Sequence, residues 1–206
     1  MNSMLRTLAF AALIAAAPAA AGAAEYTLTP ADGVIGFKLD STLHMVHGNA
    51  KQFTVKVNVP DAGTQGGMTA LVTIPVKGLD TDNKNRDEKM HNVSFEAGKY
   101  PDITFEMNVV DGLPPMPSSE DSFSVTIKGK LTIHGVTHDT AIPVTVKRTP
   151  KGALVTGSVP VAFIKDYNIP DPSVFVFRVE KTAEVIFSLT LPAPLFKTAP
   201  DTAAGL

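Results

Sequence analysis

The feature that most constrains this chain is a period of two. From Tyr26 to Leu191 apolar residues recur mainly at every second position, the spacing of a strand with one dry face rather than of a helix. Phe53, Val55, Val57 and Val59 alternate with Thr54, Lys56 and Asn58, and Ala70, Val72, Ile74 and Val76 alternate with Leu71, Thr73 and Pro75. The pattern returns in Ile103, Phe105, Met107 and Val109, and again in Phe123, Val125, Ile127, Gly129, Leu131 and Ile133, whose intervening residues are Ser124, Thr126, Lys128, Lys130 and Thr132. Ile142, Val144 and Val146 follow, and Ala183, Val185, Phe187 and Leu189 close the series. Turn-rich stretches at 60–67, 111–121, 149–152 and 169–172 separate the runs.

One segment breaks the period. Between Asp80 and Pro101, Asn85 stands three residues before Glu88, a capping-box arrangement that predicts a short helix from there to about Asn92. Pro101 returns the chain to extended form. About eight strands with one helical insertion predict an all-β fold, an antiparallel barrel or sandwich. Gly129, in the middle of the longest run, predicts a bend or bulge of the kind a closing barrel uses, with close approach of a ligand to its backbone as the alternative.

The two ends set the compartment. Residues 1–24 carry Arg6, an apolar run from Leu8 to Ala17 and a small-residue exit at Ala21-Gly22-Ala23, the pattern of a secretory signal peptide. Its apolar run is shorter than the roughly 20 residues of a membrane span. The mature chain is expected to be periplasmic or secreted, without an integral membrane segment. Residues 193–206 offer almost nothing to bury and read as a flexible tail. The chain has no cysteine, which excludes disulfides, a lipid-anchoring thiol and a cysteine nucleophile. Without Arg6 it holds 17 Lys and Arg against 20 Asp and Glu, a balance that argues against nucleic acid and favours a small molecule or a protein as partner.

The segment Asn85-Arg86-Asp87 followed by Met90 and His91, the run Lys99 to Met107, Gly129 to Val146, and Asp166-Tyr167-Asn168-Ile169 together resemble the YceI family of exported, lipocalin-like proteins. The similarity covers roughly Tyr26 to Leu191 and implies an eight-stranded antiparallel barrel over residues 25–192, with the helical insertion near one mouth and a long isoprenoid or similar amphiphile in the tunnel. An eight-stranded barrel is wide enough to be filled by its own side chains or to take one slim ligand. The residues expected to line such a tunnel are Val55, Val57, Val72, Ile74, Phe105, Met107, Val125, Ile127, Ile142, Val144, Phe187 and Leu189. The chain departs from the family pattern where Ser41 and Ile164 replace a histidine and an arginine, and where Asn168 stands for glycine, a residue that tolerates the left-handed backbone the turn needs.

Five histidines pose the competing reading. His44 and His47, three apart, point to opposite faces of a regular strand, and Gly48 suggests a hairpin corner there. His134 and His138 flank a hairpin connection across which they are expected to face each other. No spacing brings three imidazoles to one ion, so no metal site is assigned; His44, His47, Arg86 and His91 are the polar candidates at the mouth, where His44 or His47 is expected to fix the hairpin or touch a head group, with exposed turn histidines as the alternative. For Arg86 the structural role, tying the insertion to the rim, is the favoured reading, and binding a phosphate or quinone oxygen at the tunnel entrance is the alternative. The stretch around Val174, Phe175, Val176 and Phe177 is apolar on both parities and predicts a strand buried on both faces, with a homodimer surface as the sharper reading. No catalytic motif is present, so the sequence predicts a non-enzymatic carrier of an isoprenoid, quinone-like or other long lipid, with no cofactor. A histidine-based metal protein and a closed-core structural or stress protein are the alternatives.

Overall fold

The computed structural model describes residues 24–60, 67–114, 121–150, 152–173 and 178–192. The expected leader, the tail and the stretch 174–177 lie outside the described residues, apart from Ala24. Eleven strands form one antiparallel sheet: β1 (Ala24–Leu28), β2 (Gly33–Leu39), β3 (Val46–Ala50), β4 (Thr54–Val59), β5 (Thr69–Pro75), β6 (Leu79–Asp80), β7 (Asp102–Asp111), β8 (Ser122–Ile133), β9 (Val136–Thr149), β10 (Gly152–Val161) and β11 (Ala183–Pro192). Their hydrogen-bonded order is β1-β4-β5-β7-β8-β9-β10-β11-β2-β3-β6.

That order curls the sheet back on itself. β1 passes into β2 through a single 3₁₀ turn, Pro30–Asp32, and β3 passes into β4 through three residues. The turn is fixed by Thr29, whose backbone N–H donates to Asp32 Oδ2 at 2.8 Å while its hydroxyl accepts from Ala31 N at 3.4 Å. Taking each broken pair as one strand, and setting aside the two-residue β6, leaves the eight long strands that the alternation predicts, and the ends of the ladder are joined by the chain itself. The breaks were not visible in the pattern, because Phe53 continues the apolar parity across one of them.

A bulge also alters the pattern. The β7–β8 register shifts between Met107 and Val109, so Val110 pairs with Ile127 while Val109 turns outward and is 42% exposed. The expectation that Val109 continues the dry face therefore fails past Asn108. Gly129 lies opposite Met107, and a Cβ there would come 2.1 Å from the Glu106 carbonyl oxygen, so the close backbone approach is between strands. Gly48 is not a corner: it sits within β3 opposite Phe37, and a Cβ would meet the Phe37 ring at 2.3 Å.

The insertion starts earlier than expected. Helix α1 spans Lys84–Lys89 and continues as a π turn, Met90–Ser94. Its N-cap is Asn83, not Asn85: the extended Asn83 accepts from Arg86 N at 3.1 Å, which places Asn85 inside the first turn. A second short helix, α2 (Phe163–Tyr167), follows β10 and had no periodic signal. It ends at Asn168, in the left-handed conformation at φ 54°, the role the sequence gives that residue.

The buried residues fall into two groups. One is built on β7–β10 with α2 and includes Phe105, Val125, Val144 and Tyr167; the other is built on β1–β4 with β11 and includes Leu28, Phe53, Val55 and Leu189. Met68, Ala70, Val72, Phe95, Ile103 and Phe187 touch both groups, and each is only partly buried.

Candidate functional site

One end of the curled sheet gathers the insertion, the β8–β9 turn, α2 and the loop between β2 and β3. The β8–β9 turn is His134–Gly135, with φ of 51° and 74°, the paired positive values of a two-residue hairpin turn whose twist matches its strands. That geometry carries the His134 ring off the strands and toward α2. Its Nδ1 lies 3.2 Å from the Tyr167 carbonyl oxygen and its Nε2 lies 2.7 Å from Glu96 Oε2, just past the π turn. Both partners are acceptors. The Tyr100 ring packs edge-on against it at 4.4 Å.

His138, on β9, donates from Nε2 to the Asp166 carbonyl oxygen at 2.7 Å and meets the Tyr167 ring edge-on at 5.1 Å. The two histidines therefore do not face each other; both hold the C-terminal end of α2. Tyr167 itself is 4% exposed. Burial pushes its phenol above the usual tyrosine range, while a hydrogen bond with the Thr140 side chain pulls the other way. Thr140 shares its strand parity with buried Ile142 and Val144, so α2 folds across the inner side of β9.

The polar residues assigned to the mouth are placed differently. Arg86 Nε donates to Thr81 Oγ1 and its Nη2 to the Thr81 carbonyl oxygen, both at 2.7 Å. Thr81 Oγ1 in turn donates to Asp87 Oδ1 at 2.5 Å. Arg86 thus takes the structural role, fastening the insertion to the chain that follows β6. His91 Nε2 lies 2.7 Å from the Leu79 carbonyl oxygen, which commits it to the same fastening. His44 precedes β3 in a loop that Ser41 closes, its hydroxyl donating to the His44 carbonyl oxygen at 2.6 Å. His47 lies on β3 opposite Lys38, and both His44 and His47 are exposed. The structure does not bring the four together. Among the described residues no group of three His, Cys, Asp or Glu converges to hold a metal.

The twelve tunnel residues all lie in or against the core. Val55, Val57, Phe105, Met107, Val125, Ile142, Val144 and Leu189 are buried, whereas Val72, Ile74, Ile127 and Phe187 keep accessible surface. An inward side chain that retains such surface borders space its neighbours do not fill. Val72 and Phe187 belong to the partly buried set that spans both core groups. That seam is the candidate binding region. His134, His138 and Tyr167 were missed as organisers of the adjoining end because α2 is too short to show a period.

The sequence matches the model of the YceI-like domain over residues 26–191. No curated protein matches it in sequence. Among solved structures it is similar to a polyisoprenoid binding domain from Saccharophagus degradans, at 19% identity and a TM-score of 0.65, covering 82% of this chain and 98% of that one. BcnA of Burkholderia cenocepacia gives 20% identity and a TM-score of 0.63, with 77% and 96% covered. The YCEI protein of Campylobacter jejuni gives 21% and 0.52, with 71% and 86% covered. At these identities the likeness speaks for the curled all-β fold. The family follows from the domain match, which reaches from β1 to β11 and covers most of the chain: this protein belongs to the YceI family.

Proposed function

We propose that this protein is an exported, non-catalytic carrier that holds one long isoprenoid, quinone-like or comparable lipid inside the curled sheet. The observation that carries the reading is the seam: Ala70, Val72, Ile103 and Phe187 point inward, touch both core groups and keep accessible surface. A hydrocarbon placed there gains roughly 0.8 kcal/mol for each CH₂ removed from water. The family supports the reading, since one relative is described as a polyisoprenoid binding domain. The leader-like residues 1–24 support a periplasmic or secreted location.

Native mass spectrometry and organic extraction of freshly purified protein test this, with added geranylgeraniol as the probe for unloaded protein. A bound lipid, or saturable uptake of the probe, is the expected result. Val72→Trp, which fills the seam with an apolar ring, is expected to abolish retention while the protein remains folded by circular dichroism. Stoichiometric zinc or copper without lipid, or failure of wild type to take up the probe, would overturn the proposal.

A further inference from the structure

β9 and β10 stay paired over only part of their length. β9 and β10 pair from Thr149 with Gly152 up to Val144 with Gly157, and there the pairing ends. β10 continues along β11 as far as Val161, and β9 continues along β8 as far as Val136. The next residue on β9 is Pro143, which has no N–H to offer a neighbouring strand. A recess of about 390 Å³, broadly open to solvent, lies at the divergence.

The lining is unusual in two respects. Its outer part is a set of hydroxyls: Ser124, Thr145 and Thr156 lie side by side across β8, β9 and β10, and Ser158 follows on β10. Its inner part is Phe187, which faces Gly157 across the β10–β11 pair and belongs to the seam between the core groups. A Cβ on Gly157 would come 2.6 Å from the Phe187 ring, so glycine is what lets that ring lie across the strand here. The recess thus joins an outer hydroxyl surface to an inward ring that borders the seam. Among the described residues no charged one lines it.

We propose that this lateral slot seats the head group of the bound lipid, and that the head group is uncharged: an alcohol or a quinone carbonyl. The inference rests on the lipid-carrier reading above. Hydroxyls donate to and accept from neutral oxygens, whereas a diphosphate finds no cationic partner among the lining residues. The cation first assigned to a head group, Arg86, is occupied by Thr81.

Geranylgeraniol and geranylgeranyl diphosphate, which share one hydrocarbon tail, separate the outcomes in a titration monitored by intrinsic or probe fluorescence. Wild type is expected to bind the alcohol more tightly, by on the order of tenfold or more. Thr145→Arg with Ser158→Arg, at two exposed positions, is expected to reverse the order. Thr145→Val with Thr156→Val, which keeps size and removes the hydroxyls, is expected to erase the alcohol's advantage without loss of the tail's affinity. Tighter binding of the diphosphate by wild type, or a preference that neither double variant moves, would overturn the slot and leave the carrier reading intact. If wild type bound neither ligand, the carrier reading itself would fall, and the slot with it.

Discussion

Single side chains divide here into fasteners and wall. Arg86 is a fastener, and Arg86→Ala removes the donors to the Thr81 hydroxyl and carbonyl at a site where Thr81 is 5% exposed. Unmade hydrogen bonds of this kind cost about 1–3 kcal/mol. The variant is expected to lower the unfolding free energy by that amount in a denaturant titration while geranylgeraniol affinity stays unchanged; a selective loss of affinity would restore Arg86 to the binding site. Tyr167 carries a pH dependence with a definite sign. Its folded pKa is raised, so the neutral phenol contributes stability that is present below the ordinary value of 10.0 and is lost as pH rises through the higher folded value. Thermal unfolding above pH 10 should therefore fall away less steeply in Tyr167→Phe than in wild type. Neither role was legible in the sequence, because each depends on a partner that the fold, and not the local pattern, supplies.

Elements were legible where a period ran long enough. β8 announced itself through the eleven alternating residues from Phe123 to Ile133 and β9 through Ile142, Val144 and Val146, but the six residues of α1 and the five of α2 are too short to express a helical period. The cap went to Asn85 on spacing alone, although Asn83 has the extended backbone a cap requires. The histidine pair was visible as a pair, and its target was not. His134→Ala strips two contacts from the junction of the β8–β9 turn, α2 and the residue after the π turn. Faster amide exchange confined to residues 163–169 and 94–100 is the expected outcome. Acceleration spread evenly over the sheet would instead show the junction to be part of the general core.

For the molecule as a whole, parity in the sequence selected the inner wall: the twelve tunnel positions all reached the core. What parity could not reveal is how completely those side chains fill the interior. That depends on the distance between opposite walls, set by the tilt and stagger of the strands and not by any one of them. Val72 and Val144 have the same side chain and the same inward parity, yet one is partly exposed and the other is 3% exposed. The difference is one of location relative to the seam.

The turn at Pro30–Asp32 carries a mechanical corollary. The composite strand made by β1 and β2 pairs with the one made by β3 and β4 on both sides of that corner, Leu28 with Val55 before it and Gly36 with Asn49 after it, so the bend redirects a stave without opening the hoop.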